Sequence, residues 1–155
     1  MAKETPTLVA TLTRIENRFL DWVRSPRAGE VATQQATGSI DDFRGRKYCV
    51  LVTYKKNGDA VPSPLWFGVG NGKLYAHTMG FKVKRIERNP QVRVAPSTFR
   101  GRPVAAPIEG TARILESDAD AEKHIAANYG WSRRAYYRLF GQTEAGVYVE
   151  VTPSS

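Results

Sequence analysis

The chain has 155 residues, 41% of them hydrophobic and 25% charged, with a net charge of +8. That is enough for one folded core and unlike the signature of a disordered chain. A single cysteine, Cys49, excludes an internal disulfide and a cysteine-based zinc site and suits a reducing cytoplasm. No apolar run approaches the ~20 residues that span a bilayer.

Residues 8 to 23 place Leu8, Leu12, Ile15, Phe19 and Val23 at helical spacing. The polar face mixes both charge signs, so a docked helix is expected rather than a membrane-surface one. The first 23 residues lack the continuous apolar region of a secretory signal. Residues 24 to 42, "RSPRAGEVATQQATGSIDD", are small and polar and read as a long connection with no core of its own.

The texture then changes to strands. "KYCVLVTY" is β-branched and aromatic, and Asn57-Gly58 after it is a strong hairpin signal. "VPSPLWFGV" reads as a second strand, "GNGK" as a tight turn, and "KLYAHT" as a third strand. "KVKRIERN" reads as a short helix stopped by Pro90. "QVRVAPSTF" and "VAAPIEGTARIL" supply two more strands. A helix is expected over 117 to 128 with Ser117 as its cap, and another over 131 to 140. "GVYVEVTP" closes as a sixth strand.

Strands joined mostly by tight turns predict a mainly β fold. The expected architecture is a six-stranded antiparallel sheet closed into a barrel, with the N-terminal helix and short peripheral helices around it. One domain spans 1–155, with residues 1–42 as helix and extended connection and 45–151 as barrel core. No GxGxxG follows a strand, which removes the usual dinucleotide fingerprint.

The stretch "HTMGFKVKRIERNP" gathers Lys82, Lys84, Arg85 and Arg88 where a strand gives way to a helix. At about 100° per residue, Lys82, Arg85 and Asn89 share one side with Ile86 close by, while Lys84 and Arg88 lie opposite. Cations in a first helical turn oppose the helix dipole, and an anion bound there would reverse that penalty. Thr78 adds a hydroxyl donor, and Gly80 lets backbone approach a ligand. A phosphate cradle and a solvated basic turn both fit this pattern.

Pro62 and Pro64 inside "VPSPLWF" restrict that strand to an edge or an irregular position. This leaves the backbone groups of Ser63, Leu65 and Trp66 available to a flat, polar-edged ring, with Trp66 as a stacking surface. The bland alternative is a proline-protected edge with Trp66 in the core. His77 in its strand reads as a packed imidazole, His124 has no triad or metal partner, and Cys49 reads as a core thiol.

The order of these features resembles the split β-barrel flavin and deazaflavin proteins. These form the pyridoxamine-phosphate-oxidase-like family, and the likeness is to its actinobacterial branch using coenzyme F-420. It covers about residues 45 to 151 and rests on a hairpin with "NG", then "PSPLWF", a Thr-ended strand, and "KxxRIxRNPxVxV". The resemblance implies an oxidoreductase: a homodimer binding F-420, or alternatively FMN, in a groove between subunits. A small unsaturated molecule would be the hydride acceptor, with no catalytic side chain required. By resemblance, Lys82 binds the cofactor phosphate at the helix start, with Val83 beside it, and Arg85 is a second polar contact. Thr78 is the hydroxyl ending the preceding strand, and Ser63, Pro64, Leu65 and Trp66 run along the ring. Trp131 to Tyr137 fall in a region that often shapes the substrate pocket. Tyr75, Tyr136, Tyr137 and water are the open choices of proton donor.

The link from Thr78 to Lys82 is shorter than in many such proteins, and the N-terminal 40 residues exceed a minimal barrel. The competing readings are a non-catalytic flavin, deazaflavin or haem binder and a basic nucleic-acid-binding barrel. Interleaved acids, and the lack of RNP, KH or helix-turn-helix patterns, speak against nucleic acid.

Overall fold

A computed structural model describes residues 26–78, 80–115, 119–130 and 147–154. Seven strands form one antiparallel sheet: β1 (Tyr48–Tyr54), β2 (Ala60–Leu65), β3 (Phe67–Gly70), β4 (Lys73–Thr78), β5 (Gln91–Ser97), β6 (Ile108–Leu115) and β7 (Val147–Pro153). Their order across the sheet is β2-β1-β5-β6-β7-β4-β3. Among the described residues two α-helices, α1 (Phe81–Arg88) and α2 (Ala119–Tyr129), and two 3-10 helices, Pro26–Ala32 and Ile40–Phe43, accompany it. The expected N-terminal helix, the Ser117 cap and the helix over 131 to 140 lie outside the described residues.

The count of seven rather than six has one cause. "VPSPLWFGV" is not one strand: it breaks at Trp66 into β2 and β3. Those two segments are the opposite ends of the sheet, yet a single residue joins them. The sheet must therefore curl until its ends meet at Trp66, which is how the barrel closes.

Both Asn-Gly signals make turns. Asn71 and Gly72 link β3 to β4 with φ of 56° and 72°, the two positive values that a type I′ turn requires. Asn57-Gly58 sits in a longer loop. There Gly58 at φ 93° donates to the Lys55 carbonyl, and the Asn57 side chain accepts from the Asp59 N–H.

The period-2 alternation of β1 has both faces buried. Cys49 and Leu51 point into the barrel with Phe43, Phe67, Leu74, Val94, Ile108 and Val149. Val50 and Val52 point outward against Ala28, Val31 and Ala95. The described part of the expected connection, residues 26 to 42, is thus more than a link: the 3-10 helix Pro26–Ala32 buries Ala28 and Val31 over the outer face. A strand buried on both faces needs such a cover. On the far side, α2 covers β3, β4 and β7. Its Ala121 and Ile125 pack on Tyr75 and Tyr148, the i, i+4 stripe of an amphipathic helix. The approach is close: a Cβ on Gly68 would lie 2.3 Å from the His124 backbone, and one on Gly70 would lie 2.1 Å from its imidazole.

Candidate functional site

Helix α1 caps one end of the barrel, touching β1 and β6. Ile86, 2% exposed, drives it into the core, and burial of such a side chain contributes about 2 kcal/mol. The division of faces expected from the helical angle is present. Lys82, Val83, Arg85 and Asn89 are half-buried on the side of Ile86, while Phe81, Lys84 and Arg88 are exposed.

Arg85 is the most informative of these. Its Nε donates to the hydroxyl of Thr53, a fully buried residue of β1, at 2.8 Å. Burial, aided by the neighbouring Arg88 charge, depresses its pKa below the usual guanidinium value. Among the described residues no carboxylate pairs with it. A partly desolvated cation left without an acid is energetically unfavourable unless an anion joins it.

Thr78 ends β4 just before the helix. Its Oγ1 is the single buried side-chain polar atom among the described residues with no hydrogen-bond partner. A buried hydroxyl left so costs about 1–3 kcal/mol. Gly80, at φ 77°, begins α1, and no side chain caps that helix start. The positive φ is what demands glycine here, since a Cβ would meet open space. A buried hydroxyl lacking a partner and an uncapped helix start thus meet at the β4–α1 junction, while Arg85, in the last turn of the same helix and tied to β1, faces no acid among the described residues. Those donors fit an anionic group such as a phosphate.

The second component is β2, which pairs along its length with β1 and otherwise forms an end of the sheet. Ser63 is opposite Leu51 and Leu65 opposite Cys49. Prolines are accommodated in a sheet where the missing N–H faces away from the partner strand. Pro62 and Pro64 face Val52 and Val50 across the pairing and so share one parity along the strand. Ser63, Pro64, Leu65 and Trp66 are all half-buried.

Trp66 lies neither loose on the surface nor in the core. Its ring stacks on Tyr129, 4.6 Å between centroids at 26°. Tyr129 was not among the residues singled out from the sequence. It continues the Ala121–Ile125 stripe at i+4, the one local signal of its burial. Its partners Lys47 and Phe67 are more than sixty residues away.

The remaining candidates are accounted for by packing. His77 tilts against Tyr148 at 4.8 Å, and His124 stacks on Tyr75 at 5.1 Å. Tyr75 is buried under α2, where burial and the nearby Glu150 raise its pKa, so it does not face the α1 end. Tyr136 and Tyr137 lie outside the described residues. Cys49 is fully buried and its thiol pushed up in pKa by desolvation, an inert core sulfur. Among the described residues no cluster of metal-ligating side chains occurs, and no helix is long and apolar enough to cross a membrane.

No protein-family model and no curated protein sequence matches the chain. Solved structures do. The haem storage protein HutZ from Vibrio cholerae aligns with a TM-score of 0.57 at 18% identity, covering 75% of this chain and 88% of that one. A FAD-binding protein from Mesorhizobium loti aligns at 0.55 and 14%, covering 74% and 84%. A candidate pyridoxamine 5′-phosphate oxidase from Listeria innocua aligns at 0.52 and 16%, covering 75% and 90%. Likeness at these identities establishes the fold alone: a split β-barrel shared with these proteins.

Proposed function

We propose that the protein is a cytoplasmic oxidoreductase. In this reading it binds coenzyme F-420 in a groove between two copies of the chain and reduces an unsaturated small molecule; FMN in the same groove is the alternative. The observation that carries the proposal is Arg85, a half-buried cation tethered to Thr53 and facing no carboxylate among the described residues. The orphaned hydroxyl of Thr78 supports it from the adjoining strand end.

When bound, a reduced deazaflavin supplies the hydride. The chain's own part is to hold it. Lys82 and Arg85 neutralise the phosphate, Thr78 donates to it, and Val83 packs beside it. The half-buried Ser63–Trp66 segment supports the ring, and the net charge of +8 draws the anionic cofactor in. Haem binding without turnover is the weaker reading, because both histidines are packed against tyrosine rings rather than presented as axial ligands.

The test is a titration of the purified protein with F-420, FMN and haem, followed by absorbance and tryptophan fluorescence. Saturable binding of F-420 that Lys82→Ala weakens at least tenfold more than Lys84→Ala supports the proposal. Equal, negligible effects of the two substitutions sink the cradle. A steeply salt-dependent grip on nucleic acid with no cofactor bound sinks the whole reading.

A further inference from the structure

At Trp66 the ladder changes hands. β2 pairs with β1 up to Leu65, and β3 pairs with β4 from Phe67 onward. The residue between belongs to neither pairing, so backbone groups at the seam need other partners. Tyr129 at the end of α2 provides them. Its hydroxyl accepts the Phe67 N–H at 2.7 Å and donates to the Lys47 carbonyl at 2.5 Å. Asn128 beside it donates to the carbonyls of Arg46 and Phe67 at 3.0 and 2.9 Å. Lys47 in turn donates to the Asn128 carbonyl, and its ammonium lies 5.7 Å from the centre of the Tyr129 ring. The hydroxyl thus bolts the seam, while the ring carries Trp66.

We infer that Tyr129 is a positioning residue: its ring, stacked on Trp66, sets the angle of the indole against which the cofactor or its substrate lies. The inference rests on the ring-site reading above. It separates the two halves of one side chain, the hydroxyl holding the barrel shut and the ring holding the site in shape. Locking a contact residue through a supporting residue is how a site keeps sub-ångström geometry.

The experiment measures F-420 affinity and the thermal midpoint together for wild type, Tyr129→Phe, Tyr129→Leu, Trp66→Leu and Lys82→Ala. Tyr129→Phe loses the bolt but keeps the stack. Its midpoint is expected to fall while affinity stays within about threefold of wild type. Tyr129→Leu loses both and is expected to bind at least tenfold more weakly, a loss that the conservative variant restores. Trp66→Leu reproduces that loss with Tyr129 intact, so the answer survives if Tyr129→Leu fails to fold. Affinity losses that follow the midpoint alone, equal in the Phe and Leu variants, overturn the positioning role, as does a Trp66→Leu variant that binds normally. Wild-type binding that depends on Lys82 but not on the Tyr129 ring defeats this inference and leaves the function standing. Absent wild-type binding, or binding indifferent to Lys82, defeats the function itself.

Discussion

Two charge clusters of this molecule obey opposite logic. On β7, Glu150 is 8% exposed and receives Lys73 from β4 at 3.4 Å and Arg113 from β6 at 3.1 Å. Burial works against its charge, but the hydrogen bonds from Arg113 and Lys73 outweigh it and hold the carboxyl below its usual range. Cations and anion are matched, and the cluster ties three neighbouring strands together. On α1, Arg85 is only half-buried, and its described partners are a hydroxyl and a repelling Arg88. Buried charge that is matched reads as architecture. A half-buried charge with no acid among the described residues reads as a place kept for something else.

Substitutions can break or sharpen that contrast. The largest effect is expected for Lys82→Ala, with F-420 affinity down about 30-fold, or about 2 kcal/mol, in the range of a charge-assisted hydrogen bond. Arg85→Met should weaken binding about tenfold. It should change unfolding free energy by less than ~1 kcal/mol, because removing an unmatched charge offsets the lost Thr53 contact. A large loss of stability in Arg85→Met would show that the guanidinium is architectural after all. Glu150→Gln should do the reverse, costing about 1 kcal/mol in denaturant unfolding at neutral pH and leaving F-420 affinity unchanged.

The same variant sharpens the contrast through pH. A carboxyl whose folded pKa is depressed stabilises the protein fully above its unfolded value near 4.3. That contribution fades as pH falls through the lower folded value. Wild type should therefore lose its advantage over Glu150→Gln on titration below about pH 4.3. A constant gap across that range would contradict the assignment. The smallest effect belongs to Lys84→Ala, whose exposed ammonium should alter affinity by no more than about twofold at physiological salt.

How far the chain could be read beforehand depended on the range of the interactions. The alternating strands, the two Asn-Gly turns and the faces of α1 are local patterns of spacing, and they were legible. The break at Trp66 was not. Nothing within "PSPLWFG" marks where one pairing ends and another begins, because that is decided by the meeting of two sheet edges. The burial of Ala28 and Val31 was hidden for a similar reason: two small apolar residues in a polar stretch have no period of their own. Their burial follows from Val50 and Val52 needing a cover. Arg85 and Thr78 could be placed near each other on the chain, but the lack of an acid beside Arg85 among the described residues and the orphaned hydroxyl appear only in three dimensions.

The strand order has a kinetic consequence. β7, the last of the described strands, is inserted between β6 and β4, so no shorter stretch holds all seven of them. During synthesis, β1 to β6 must wait as an open, sticky arc until residues 147–153 emerge, and only then can the barrel zip shut in one concerted event. Its high share of sequence-distant pairings places that event in the millisecond-to-second range of slow β folders. A nascent chain arrested ahead of Val147 should accordingly stay protease-sensitive and bind hydrophobic dyes, whereas release of the final strand should abolish both.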